Sequence, residues 1–197
     1  MTPKFKISKL VNLQDARYSA AVGFNFVSFS LARGDHKKLS STLIWNIANW
    51  LEGPEVILEL NAQSWDELKE VTFDYSYLSL PLEDWEAGAA SQADAFILSA
   101  ANPPAPEALQ AILDEHPDIE IKFELTFSDI ADTYAYQALF PQILINFSSL
   151  DLYFDFLKPE SALPWGVSLQ LEAEEEPGYL DYERIDDLMA IFSDVHL

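Results

Sequence analysis

Eight short segments rich in β-branched and aromatic residues recur along 197 residues, and most neighbours are separated by a helix-like stretch. This alternation constrains the fold more than any other feature. The segments are Phe5–Leu10, Phe24–Leu31, Glu55–Asn61, Tyr75–Leu80, Asp94–Ala100, Ile119–Thr126, Gln142–Phe147 and Gly166–Leu171. Each suits a buried strand of ~5–8 residues. Between them, Asn12 caps a predicted helix over Leu13–Val22, which Gly23 ends in the left-handed conformation. Leu39, Leu43, Ile47 and Trp50 share one face of a predicted helix over Lys38–Leu51, stopped by Gly53-Pro54. Ser64 with Glu67 has the spacing of a capping box for Trp65–Val71. Helices are predicted over Glu107–Glu115, over Asp129–Leu139 behind Ser128, and over Tyr182–Phe192 behind Asp181.

Strands that alternate with helices argue for parallel βα units. Eight units make an α/β fold, a single (β/α)8 TIM barrel. That architecture usually takes ~250 residues, with a lower bound near ~200. The expectation is therefore one compact domain over residues 1–197 with short loops and some shortened helices. Two places are thin. Glu83–Ala93 is too short for a long helix, and Ser149–Trp165 carries an aromatic alternation (Leu152, Phe154, Phe156) that also fits a strand. The five Trp residues read as packing residues, with Trp85 and Trp165 in loops where a ligand contact is the alternative.

Charge narrows the function. The chain has 33 Asp and Glu, 11 Lys and Arg, and a formal net charge of −22. Such an excess repels phosphates and argues against nucleic-acid binding. The hydrophobic share of 49% excludes a disordered acidic tail. With no Cys, disulfides and thiolate chemistry are excluded. No uncharged apolar run approaches the ~18–20 residues that span a bilayer, so the reading is a soluble, cytoplasmic protein without membrane contact. No motif calls for a cofactor or a metal. Glu172–Glu176 lacks calcium-loop spacing and reads as a solvated acidic loop. A protein partner or a homo-oligomer stays open, with no pattern supporting either. The charge is also uneven. Residues 1–38 hold seven of the cations and only Asp15 and Asp35 as acids, while the remainder holds four cations and 31 acids.

The first βα unit reads Lys6-Ile7-Ser8-Lys9-Leu10-Val11-Asn12-Leu13-Gln14-Asp15-Ala16. It resembles the opening of the phosphoribosylanthranilate isomerase family of tryptophan biosynthesis, whose pattern is K-I-C-G-L-T-N-x-E-D-A. Gly23-Phe24-Asn25-Phe26-Val27-Ser28-Phe29 is similar to the family's next strand, G-A-D-x-x-G-F. Gly166-Val167-Ser168-Leu169, with Glu176-Pro177-Gly178-Tyr179-Leu180-Asp181 beyond it, resembles its closing G-V-D-V-S-S-G-V-E…P-G-x-K-D. Over the middle of the chain the likeness rests on order and spacing.

The resemblance implies an Amadori rearrangement of a phosphoribosyl amine, with a Cys base ending the first strand and an Asp acid on the sixth. Ser8 stands at the Cys position and cannot ionise at neutral pH without an adjacent base. Glu124 is the carboxylate nearest the Asp, displaced by one residue, which along a strand turns a side chain to the opposite face. Tyr77-Leu78-Ser79-Leu80 keeps none of the fourth-strand Q-L-H-G. The phosphate-binding glycines are missing from Ile145-Asn146-Phe147-Ser148-Ser149 and from Gln170–Glu176, where four carboxylates stand instead. A gapless match puts Lys37 where the family has an Arg. Lys6 and Ser8 share a strand face, and Lys6, Lys9, Arg33 and Lys37 are expected near the mouth at strands one and two. They are either exposed loop cations or a relic or repurposed site for a small anionic ligand.

Two readings result. In one, the chain is an isomerase-like barrel that has lost the activity and serves as a small-molecule-binding or interaction protein. In the other, it is a divergent isomerase or another barrel enzyme using a changed site around Lys6, Ser8 and Lys37.

Overall fold

Strand alternation sends odd-numbered and even-numbered side chains to opposite faces, and in the first strand this separates Phe5 and Ile7 from Lys6. A computed structural model describes residues 3–86, 89–147, 149–156, 164–170 and 181–194. The strands are β1 (Lys4–Ile7), β2 (Phe26–Ser30), β3 (Glu55–Glu59), β4 (Tyr77–Pro81), β5 (Ala95–Ala100), β6 (Glu120–Phe127), β7 (Leu144–Phe147) and β8 (Gly166–Leu169). They form a closed barrel in sequence order, and every pairing is parallel, including β1 with β8. All eight predicted segments hold a strand, most of them trimmed at their ends, while β4 and β6 each run one residue further, to Pro81 and Phe127. No helix among the described residues is long and apolar enough to cross a membrane.

The helices are α1 (Leu13–Val22), α2 (Ser41–Ala48), α3 (Pro106–Glu115), α4 (Ile130–Leu139), α5 (Leu150–Phe156) and α6 (Tyr182–Asp194). In α1 the Asn12 side chain accepts from the Asp15 N–H, and Gly23 takes φ 97°. The α2 helix is shorter than predicted because the chain ahead of it runs beside β2. Leu39 N–H donates to Ser30 O at 2.9 Å, Lys38 makes a parallel bridge to Ser30, and Ser40 caps the helix. The predicted helix over Trp65–Val71 is a 3₁₀ helix, Trp65–Glu70, and its capping box does not form. The Ser64 hydroxyl instead accepts from Arg33 N–H at 2.7 Å and bonds Asn61. Glu67 turns to Lys38, at 2.7 Å. Asp129, rather than Ser128, caps α4. The described start of Ser149–Trp165 forms a helix, α5, where the aromatic alternation also fitted a strand. Its buried residues Tyr153 and Phe156 lie three apart, at helical spacing. Over Glu83–Ala93, two 3₁₀ turns, Leu82–Asp84 and Ala89–Ser91, take the place of a helix.

Outward strand residues such as Ile7, Phe29, Leu58, Leu80, Phe96 and Leu125 make the main core beneath the helices. Phe26, Ile57, Tyr77, Ile97 and Leu144 form a second apolar cluster, with Trp165 packed against it. Lys122 closes this end, its ammonium 4.5 Å from the Tyr77 ring centroid and 5.5 Å from that of Trp165, and it bonds the Tyr77 hydroxyl at 2.7 Å. Trp165 is therefore a packing residue. Trp85 packs edge-on against Phe96 and His116.

Gly166 is required by close approach. A Cβ there would lie 2.7 Å from Leu144 Cδ2 and 3.2 Å from Lys4 O.

Candidate functional site: the polar mouth of the barrel

Toward the C-terminal ends of the strands the inward-facing residues become polar. Lys6 aligns with Ser168, Glu59 with Ser79, Ser99 with Glu124, and Thr126 with Asn146. They open into a cavity of about 520 Å³ lined by residues of β1 and β3 to β7 and by the segments that follow β2 and β8. This is the face where barrels of this kind hold their chemistry.

Lys6 is 1% exposed. Its Nζ donates to Glu124 Oε2 at 2.6 Å, to Ser8 Oγ at 2.8 Å and to Glu59 Oε1 at 3.3 Å. Neither β3 nor β6 neighbours β1, so these contacts cross the lumen. Glu124 was expected on the opposite face; it points inward instead, because β6 is in register with β5 so that Glu124 sits beside Ser99. Ser168 Oγ donates to Glu124 Oε1 at 2.5 Å, and Ser28 Oγ donates to Glu59 Oε1 at 2.5 Å. Burial alone lowers the pKa of Lys6, but the charges and hydrogen bonds of Glu124 and Glu59 outweigh it and hold the ammonium above its usual range.

A second layer supports this floor. The Tyr153 hydroxyl, from α5, accepts from Phe147 N–H at 3.0 Å and contacts Asn146 Oδ1 and Ser168 O. Burial pushes the pKa of this phenol up, so it remains a donor. Asn146 Nδ2 donates to Thr126 Oγ1 at 3.1 Å.

The rim comes from the loops after β1, β2 and β3. Lys9 stands where the resembled pattern has Gly, and it keeps a left-handed backbone at φ 57°, a conformation uncommon outside glycine. Its N–H donates to Ser28 Oγ at 2.9 Å, and its ammonium lies 2.9 Å from Asp35 Oδ2. Asp35 also accepts from Ser30 Oγ and from Lys37 N–H. Burial alone would raise the Asp35 pKa, but the Lys37 N–H, Lys9 and Ser30 reverse this and hold the carboxyl below its usual range. Arg33 reaches Glu67 at 3.4 Å.

The structure thus brings Lys6, Ser8, Lys9, Arg33 and Glu124 to one cavity. Lys37 is not among its lining residues; its backbone N–H is turned to Asp35. Sequence reasoning missed Glu59, Asp35, Ser28, Ser79 and Ser168 as parts of the site. Small polar residues on one strand face were their only signal. Glu172–Glu176, Pro177-Gly178 and Ser148 lie outside the described residues. Among the described residues no group of three or more His, Asp or Glu is placed to hold a metal.

No protein-family model and no curated protein matches the chain. Solved structures do. A phosphoribosylanthranilate isomerase in complex with reduced 1-(o-carboxyphenylamino)-1-deoxyribulose 5-phosphate superposes with a TM-score of 0.71 at 16% identity, covering 98% of this chain and 99% of that one. The phosphoribosylanthranilate isomerase of Thermus thermophilus gives 0.69 at 17% identity, covering 98% and 99%. The phospho-2-dehydro-3-deoxyheptonate aldolase of Thermotoga maritima gives 0.73 at 13% identity, covering 98% of this chain and 68% of that one. The chain has the fold of the phosphoribosylanthranilate isomerases, the family its terminal motifs resemble.

Proposed function

We propose that this barrel binds a small polar molecule at its C-terminal mouth and does not catalyse the Amadori isomerisation. The bond from Lys6 to Ser8 carries this reading. An isomerase needs a base where Ser8 stands. The Lys6 amine beside Ser8 is held protonated by Glu124 and Glu59, so it donates to the hydroxyl and cannot take its proton. Glu124, the carboxylate nearest the position of the acid, has both oxygens tied up, one by Lys6 and one by Ser168. The rim adds support. Lys9 and Arg33 are each paired with a carboxylate, whereas a phosphorylated substrate needs donors left open for it. The cavity itself falls within the ~300–1,000 Å³ of small-molecule sites.

The test is direct assay with N-(5-phosphoribosyl)anthranilate, together with complementation of cells lacking the isomerase. No turnover above the uncatalysed rate and no growth without tryptophan are expected. Turnover that disappears in Ser8→Ala or Glu124→Gln would establish the divergent-isomerase reading instead.

A further inference from the structure

The floor of the mouth is built to receive hydrogen-bond donors. Its nearest charges are Lys6, Glu59 and Glu124, one cation between two carboxylates. All three ammonium protons of Lys6 are engaged inside the protein, so its charge is enclosed and offers nothing to an entering anion. Acceptors remain open. Glu59 uses Oε1 for both Lys6 and Ser28, and its Oε2 makes no hydrogen bond with any described residue. Ser79, aligned with Glu59 on the next strand, is 4% exposed and lines the cavity. Its hydroxyl makes no hydrogen bond with any described residue. Among the described residues no buried side-chain polar atom lacks a partner, so this hydroxyl is open to the cavity it lines and within reach of a ligand atom. The field of the whole chain acts in the same direction, since a net charge of −22 enriches cations and depletes anions at its clefts.

Resting on the reading of the mouth as a binding site, we infer that its ligand is a small hydroxylated amine whose ammonium seats against Glu59 Oε2 beside Ser79. An ammonium there supplies the missing counter-charge and a donor to each open acceptor, while its hydroxyls meet the Ser99 and Thr126 side of the cavity. A phosphorylated sugar would instead face two carboxylates with no free cation below it.

Calorimetric titration at pH 7 and low salt with three matched probes tests this: glucamine (the open-chain amine), sorbitol (its neutral counterpart) and sorbitol 6-phosphate. Glucamine is expected to bind at least about 10-fold more tightly than sorbitol, as a charge-assisted hydrogen bond provides, with sorbitol 6-phosphate undetectable. Ser79→Ala should weaken glucamine about 5- to 10-fold while leaving the melting temperature unchanged, because it breaks no bond within the protein. Glu59→Gln should erase the preference for the amine; if that variant does not fold, Ser79→Ala decides alone. Equal binding of glucamine and sorbitol overturns the ammonium assignment while leaving a non-catalytic binding barrel. Tighter binding of the phosphate, silence from all three probes, or an unaffected Ser79→Ala overturns it as well. None of these outcomes bears on isomerase turnover, which is measured separately.

Discussion

Lys6 carries a full charge into the lumen, where two carboxylates outweigh the cost of removing it from water. Removing one member of such a cluster leaves the others buried and unpaired, typically at a cost of 3–5 kcal/mol. Lys6→Met should therefore destabilise the barrel by about 3–5 kcal/mol in urea unfolding near pH 7. A loss under about 1 kcal/mol would mean that water already screens the cluster. The pH dependence has a definite sign. The folded pKa of Lys6 is raised above the unfolded value of 10.5. The stability it contributes is thus complete below pH 10.5 and lost as pH rises through the folded value. The wild type should lose stability steeply at alkaline pH, and Lys6→Met should lack that component. The position of Lys6 and Ser8 on one inward face was legible from two-residue alternation. The facing of Glu124 was written in its strand as well, where Lys122, Glu124 and Thr126 alternate with Phe123, Leu125 and Phe127; the one-residue offset from the resembled motif obscured it.

Elements were legible where a short stretch of chain decides the outcome. Asn12 and Gly23 bracket α1 as the sequence implies, since capping groups bond within a few residues of themselves. The Ser64 box failed because Arg33 N–H, from another loop, competes for the same hydroxyl. The aromatic run at the start of Ser149–Trp165 was ambiguous because alternation and a three-residue spacing share positions; packing of Tyr153 and Phe156 against β7 makes it a helix. At Gly166 β8 meets β7 and β1 too closely for a side chain. Gly166→Ala should cost about 1–3 kcal/mol through overpacking, and the cost should fall in a Leu144→Val background, where the crowded methyl is gone. An unchanged cost in the double variant would place the strain at Lys4 O instead.

For the whole molecule, a net charge of −22 acts as self-repulsion that folding must overcome. Raising salt from about 10 mM to about 150 mM shortens the screening length from ~30 Å to ~8 Å. The melting temperature should rise by roughly 2–4 °C, corresponding to about 1 kcal/mol for a chain of this size. A fall would show that the surface ion pairs, such as Lys38 with Glu67, outweigh the general repulsion.

Periodicity written within ten or so residues determined the eight strands, most of the helices and, through their alternation, the barrel. It did so because backbone geometry imposes the same two periods on every segment of chain. Charge was different. The sequence places seven cations in its first 38 residues, almost without acids, and so suggests a cationic mouth. The fold gives Lys6 its carboxylates from positions 53 and 118 residues away, and gives Lys38 and Arg33 theirs from the loop after β3. These partners meet only because barrel closure and strand register bring distant strand ends to one lumen. Tertiary structure alone therefore decided that the mouth is charge-paired, with acceptors left open where the sequence suggested free cations.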